Sequence, residues 1–254
     1  MANQLFNFGP PVAQVNALQW FFEDTRWQGR FEWLGLVGHG AYGVCVRVRQ
    51  HFADPANPQG PARDFILKQA NSTAHEPNLR REMMRLGRVA GGMHIVRPIL
   101  LERSPFYDFD AVPAHQFIHP SRKGHLRGLW HKKGFMLGPA LLMEPLENGT
   151  LYQFFEKRQA HNLPLLPNRL LWRFFLCLVR ACIAMAYPRP FQDQAVQSLE
   201  IPNFEQEPGD FTHTDLHGGN VLLGDTNVFM QEHQITPILK LIDFGAWLNA
   251  AQNN

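Results

Sequence analysis

The chain has 254 residues, 45% of them hydrophobic and including 20 Phe and six Trp, which is enough to bury an aromatic-rich core and excludes a disordered chain. Its 24 basic and 22 acidic side chains leave a net charge of +2, too balanced for nucleic acid or an acidic membrane surface to be the main partner. The three cysteines (Cys45, Cys177 and Cys182) form no C-x-x-C pair, so neither a disulfide framework nor a zinc motif is visible, and the chain reads as intracellular, in a reducing cytoplasmic or nuclear compartment.

Residues 1–30 hold Pro10-Pro11 and then Trp20-Phe21-Phe22, a loose start followed by a short helix that packs on the body. They lack the basic and apolar regions of a secretory leader. No apolar run reaches membrane-spanning length. Residues 31–50 contain two β-like runs around a glycine loop, 52–63 a turn cluster, and 64–69 a third strand. Residues 78–90 read as a helix, with Leu79, Met83, Leu86 and Ala90 on one stripe. A strand is expected at 95–101, a long polar insertion at about 103–134, and a strand at 135–143. Within the insertion, Arg122, Lys123, Arg127, Lys132 and Lys133 read as a solvated loop rather than a nucleic-acid patch.

Thr150 and Gln153 match a capping box and open a short helix. Residues 168–187 form a helix that is apolar nearly all round and reads as buried, with Cys177 and Cys182 as core residues. Residues 192–210 are a second polar insertion. Strands first and helices afterwards predict an α+β, bilobal arrangement. Residues 1–30 would be an N-terminal extension, 31–143 a β-rich first lobe, and 144–254 a hinge and helical second lobe.

Chemistry gathers at four places. Gly38, Gly40 and Gly43 lie between two strand-like runs, where glycines admit a phosphate close to backbone N–H groups. A dinucleotide-binding loop with the same spacing would lead into a helix instead. Lys68 ends the run Phe65-Ile66-Leu67-Lys68, and Glu82 interrupts the apolar stripe of the following helix. A carboxylate on a buried face needs a cation, and Lys68 is the nearest upstream candidate, with Glu76 as the alternative partner for the lysine. His213-Thr214-Asp215-Leu216-His217-Gly218-Gly219-Asn220 spaces a carboxylate and an amide so that one turn presents both. Asp243-Phe244-Gly245 follows a strand-like run, and no cluster of soft metal ligands is visible.

In this order and spacing the four pieces resemble the protein kinase superfamily over residues 31–250. The resemblance implies a β-rich N-lobe, an abbreviated helical C-lobe, and ATP in the cleft between them. It implies that Asp215 orients and deprotonates the acceptor hydroxyl, that Asn220 and Asp243 hold Mg²⁺, and that Lys68, fixed by Glu82, and the glycines hold the phosphates. Val44 and Ile66 would roof the adenine, Leu222 would form its floor, and Met143 would guard the pocket. Glu144 and Leu146 would offer it main-chain hydrogen bonds. The implied activity is transfer of the γ-phosphate of Mg-ATP to a hydroxyl, of Ser or Thr in a protein substrate.

The chain departs from the family pattern in four ways. Ile66 stands at a usual alanine and tightens the adenine slot. Thr214 replaces the usual Arg. His217 replaces the Lys that steadies the γ-phosphate, as in small-molecule phosphotransferases. Nine residues follow Gly245, so the activation loop and later helices of the family are missing from this stretch. Two alternatives therefore stand beside the protein kinase reading: a weak or inactive ATP-binding pseudokinase, and a small-molecule kinase.

Overall fold

The computed structural model describes residues 12–23, 31–51, 62–99, 139–190, 197–227 and 231–249. Residues 1–11, the expected insertion at 103–134 with its basic stretch, and most of the 52–63 turn lie outside them. The architecture is α+β. In chain order it comprises α1 (Val12–Glu23), β1 (Phe31–His39), β2 (Gly43–Gln50), β3 (Arg63–Ala70), α2 (Glu76–Val89), β4 (Ala140–Met143), α3 (Leu151–Ala160), α4 (Asn168–Ala186), β5 (Phe211–His213), β6 (Val221–Leu223), β7 (Leu239–Leu241) and β8 (Trp247–Asn249). Among the described residues no helix is long and apolar enough to cross a membrane.

The chain divides into two compact units: residues 1–83 with 99–145, and residues 84–98 with 146–254. Helix α2 is shared between them. The sequence had suggested a single boundary near 143.

In the first unit β1, β2, β3 and β4 form an antiparallel sheet in that order. Period-2 alternation puts Val44, Val46 and Val48 of β2 on one face with Phe65 and Leu67 of β3 and Ala140 and Leu142 of β4. Leu18, Phe21 and Phe22 of α1 close that face, and Phe22, Phe31 and Phe65 meet edge to face. Trp20 does not join its neighbours; it is 73% exposed. Inside this layer Gln14 Nε2 donates to Gln69 Oε1 at 2.5 Å, so neither buried amide is left unpaired there. The opposite face carries polar groups, and Arg47 and Arg49 both donate to Asp64. Those hydrogen bonds, from Arg49 first, hold the Asp64 carboxyl below its usual range against the opposing effect of burial.

In the second unit short strands pair antiparallel, β5 with β8 and β6 with β7. The capping box opens α3 as the sequence predicts: Gln153 N–H donates to Thr150 Oγ1, and Thr150 N–H to Gln153 Oε1. Helix α4 differs from its reading. Phe174, Cys177, Ala181, Ala184 and Met185 make one buried stripe, but Trp172 is 69% exposed, Phe175 is exposed beside it, and Cys182 is exposed too. Apolar composition supplied a second face that the described residues leave uncovered.

Two further expectations change. The expected strand at 95–101 is, in its described part, a pair of isolated contacts: Ile95 bridges Leu241, and Ile99 N–H donates to Leu142 O. Pro98 has no N–H to continue a ladder. The second polar insertion is partly built into the unit. Gln197 Nε2 donates to the carbonyls of Ala90, Gly92 and Ile95, Ser198 bridges Gly92, and Glu200 is buried.

Candidate functional site

The first unit positions the glycine loop and the lysine. Between β1 and β2 the chain turns over residues 40–42, closed by Gly40 N–H donating to Gly43 O at 2.8 Å. Asn71, just past β3, ties the turn down: its Nδ2 donates to Gly40 O and Ala41 O, and its N–H to Tyr42 O. Gly43 is required by packing, since a Cβ there would sit 2.9 Å from Gln69 O. Gly38 and Gly40 are not; a Cβ on either meets no atom of the described residues within 4 Å and neither has a positive φ.

Lys68 Nζ donates to Glu82 Oε1 at 2.7 Å and Oε2 at 2.8 Å. Glu82 is only 5% exposed, because its place on α2 lies in the Leu79–Met83–Leu86 stripe. The register puts Cys45 opposite Lys68, Arg47 opposite Ile66, and Met143 across from Ile66. Lys68, Ile66, Cys45 and Met143 therefore share one face. Val44 does not: it pairs with Gln69 and is wholly buried in the α1-covered core. The expectation that Val44 and Ile66 line one slot is corrected, since one residue's offset in a period-2 strand reverses the face, and Cys45 takes that place. Glu144, after Met143 on the same unit, is half-buried.

The second unit gathers the carboxylates. After β5, His213 Nε2 donates to Ile242 O at 3.0 Å and Nδ1 accepts from Asp215 N–H at 3.3 Å. A carbonyl only accepts and an amide N–H only donates, so the ring is neutral with its proton on Nε2. The His213 and Phe244 rings pack in a T-shaped pair with centroids 5.3 Å apart. Asn220 Nδ2 donates to Asp215 O at 2.9 Å and to Asp215 Oδ2 at 3.3 Å. Ile242 N–H in turn donates to Asn220 O, which ties the residue before Asp243 to the same turn.

Asp243 has φ +60, a left-handed conformation that non-glycine residues rarely adopt. Gly245 N–H on Asp243 Oδ1, a fully buried Phe244, and Arg85 Nη1 on the carbonyls of Phe244 and Gly245 hold it there. Asp215 and His217 are exposed, Asn220 buried and Asp243 half-buried. His217 Nδ1 accepts from Gly219 N–H at 3.0 Å, capping the turn Gly218–Asn220, and its Nε2 lies 3.8 Å from Asp215 Oδ2. Leu222, half-buried, pairs with Lys240 and bridges Thr150, and Leu146 lies against Gly224.

A second cluster in this unit escaped the sequence reading, which saw no soft-ligand set. His94, Cys177 and His233 are buried and bring ligating atoms within 4.8 Å of one another. Burial pushes the Cys177 thiol up to about 11 and lowers the His233 imidazole. Separations of dozens of residues hid it, because metal motifs are legible only when ligands are close in sequence. Asn71 and Arg85 were missed as well, since a loop amide and an exposed-looking helix arginine carry no periodic signal. No protein-family model matches the chain, and no curated protein matches it in sequence.

Proposed function

We propose that the chain is an ATP-dependent phosphotransferase with a bilobal, protein-kinase-like fold, moving the γ-phosphate of Mg-ATP to a hydroxyl, of Ser or Thr in a protein. The observation that carries the reading is the two-oxygen grip of the buried Glu82 on Lys68. A fixed ammonium on the strand next to a glycine turn is what the α- and β-phosphates require.

Other features support it. Gly38 and Gly40 lack side chains although the fold leaves space for them, which is expected where a phosphate comes close. Asn220 spends its Nδ2 on Asp215, so the atom it offers a cation is Oδ1. That oxygen and the Asp243 carboxylate suit Mg²⁺, which when bound neutralises charge on the phosphates. The strained φ of Asp243 belongs to the class of distortions kept at working sites. Asp215, exposed and oriented by Asn220, takes the acceptor hydroxyl's proton. The first unit thus serves as the N-lobe with Lys68, and the second as the C-lobe.

A second reading, nucleotide binding with feeble transfer, is favoured by His217. Its Nδ1 is committed as an acceptor from Gly219 N–H, so the ring is neutral where the resembling enzymes carry an ammonium.

The test is a radiolabelled ATP assay with protein, amino-alcohol and sugar acceptors, run on the chain and on Asp215→Ala beside a thermal-shift titration with Mg-ATP. Mg-ATP should raise the melting temperature of both proteins, with transfer falling about 10²–10⁴-fold in the variant. A shift without transfer in the parent supports the second reading. Absence of any nucleotide-dependent shift, or equal transfer by both proteins, overturns the phosphotransferase assignment.

A further inference from the structure

The second cluster combines chemistry that its proton inventory does not satisfy. Glu200 is buried and grips His94 twice: His94 N–H donates to Oε1 at 2.7 Å, and Nδ1 lies 2.7 Å from Oε2. A carboxylate can only accept, so His94 Nδ1 carries the proton and Nε2 presents a lone pair. That lone pair faces His233 Nε2 at 3.1 Å. If His233 donates from Nε2, its buried Nδ1 is left without a hydrogen-bond partner among the described residues. If its proton is on Nδ1 instead, two Nε2 lone pairs confront each other across 3.1 Å. Either arrangement leaves a buried ring nitrogen without a matched partner, which is unfavourable. The third side is closed by Cys177 Sγ.

We propose that His94 Nε2, His233 Nε2 and Cys177 Sγ bind a borderline-soft divalent cation, zinc foremost, as a structural site that clasps α4 to the segments around 94 and 233. The inference is independent of the phosphotransferase reading and goes beyond it. Two imidazoles and a thiolate are a zinc donor set, and two nitrogens each about 2.0–2.1 Å from a tetrahedral ion stand close to the spacing of the His94 and His233 nitrogens. The Glu200–His94 pair is the carboxylate–imidazole arrangement that orients a ligating ring. Next to His233, Arg180 holds Glu232 Oε1 at 2.8 Å, and the buried Glu232 Oε2 has no hydrogen-bond partner among the described residues. On binding, the Cys177 S–H bond breaks, the proton passes to solvent, and the sulfur's electron pair forms the metal bond. His94 keeps its Nδ1 proton on Glu200.

Full-length chain is purified from zinc-supplemented culture, dialysed, and its metal content measured by plasma mass spectrometry. Apo chain is then titrated with cobalt(II) and followed by absorption. The parent should hold about one zinc per chain and develop a thiolate-to-cobalt charge-transfer band. Cys177→Ser should lose the band, Cys182→Ser should keep it, and Glu200→Gln should bind cobalt about 10–100-fold more weakly. A parent with neither stoichiometric zinc nor the band overturns the proposal. So does a band that survives in Cys177→Ser. If Cys177→Ser fails to fold, the parent's band and the Glu200→Gln titration decide alone, and unchanged affinity in Glu200→Gln then overturns it.

Discussion

Lys68 and Glu82 neutralise each other through two short hydrogen bonds at the edge of the first unit's interior, with side chains 16% and 7% exposed. Removing only the cation takes the two-oxygen ion-pair partner from a buried carboxylate. Lys68→Met should therefore destabilise the chain by about 3–5 kcal/mol in urea unfolding. Lys68→Met with Glu82→Leu should recover most of that loss, because an apolar pair of similar volume replaces a desolvated ionic one. The double variant should still fail to bind Mg-ATP. Recovered stability together with unchanged nucleotide affinity would remove the pair from the phosphate site and leave it a packing device.

Asp64 gives the first unit a defined acid sensitivity. Its carboxyl is held below the usual range by hydrogen bonds from Arg49 and Arg47. A folded pKa below the unfolded one means stability that is present above about pH 4 and is lost as pH falls through the folded value. Both arginines are about one-third exposed, so screening reduces the effect to about 1 kcal/mol. Asp64→Asn should be less stable than the parent by that amount at about pH 6, and the two urea midpoints should converge as the pH falls from about 4 through the folded value. Parallel curves over that interval would show that Asp64 is not perturbed.

The start of α3 rests on one reciprocal pair of hydrogen bonds, from Gln153 N–H to Thr150 Oγ1 and from Thr150 N–H to Gln153 Oε1. Thr150→Ala removes one partner and leaves a helix N–H unpaired. Unfolding stability should fall by about 1 kcal/mol, while Thr150→Ser should be close to neutral. Hydrogen exchange at the first turn of α3 should quicken only in the alanine variant.

What the sequence disclosed was what periodicity encodes. Alternation located the strands around the glycine turn, and a carboxylate inside an apolar helical stripe pointed to Lys68 before any coordinates did. Motif matching shows its own limit, because it carries no check of strand register: the resemblance sets Val44 beside Ile66, and the register puts the next residue, Cys45, on that face. Composition marked α4 as apolar but carries no information about what covers each face, so Trp172 and Phe175 read as core. Gln197 and Glu200 read as part of a polar insertion because their partners, carbonyls near 90–95 and His94, are about a hundred residues away. The His94–Cys177–His233 cluster was hidden for the same reason.

The glycine loop separates folding from binding within three residues. A methyl group at Gly43 would press on Gln69 O at 2.9 Å, in a strand held by its own ladder, so the backbone must shift. Gly43→Ala should cost about 1–3 kcal/mol, the penalty of overpacking. A methyl group at Gly40 meets no atom of the described residues within 4 Å and needs no unusual φ. There the substitution narrows only the unfolded ensemble, and Gly40→Ala should be neutral or more stable by about 0.4–1 kcal/mol. If the turn lies over a triphosphate, that same methyl group enters the space the phosphates occupy. Gly40→Ala should then weaken Mg-ATP binding while leaving the melting temperature of the free chain unchanged or raised. Equal nucleotide affinity in the parent and Gly40→Ala would mean that the turn is an ordinary hairpin and that the phosphates, if bound at all, lie elsewhere.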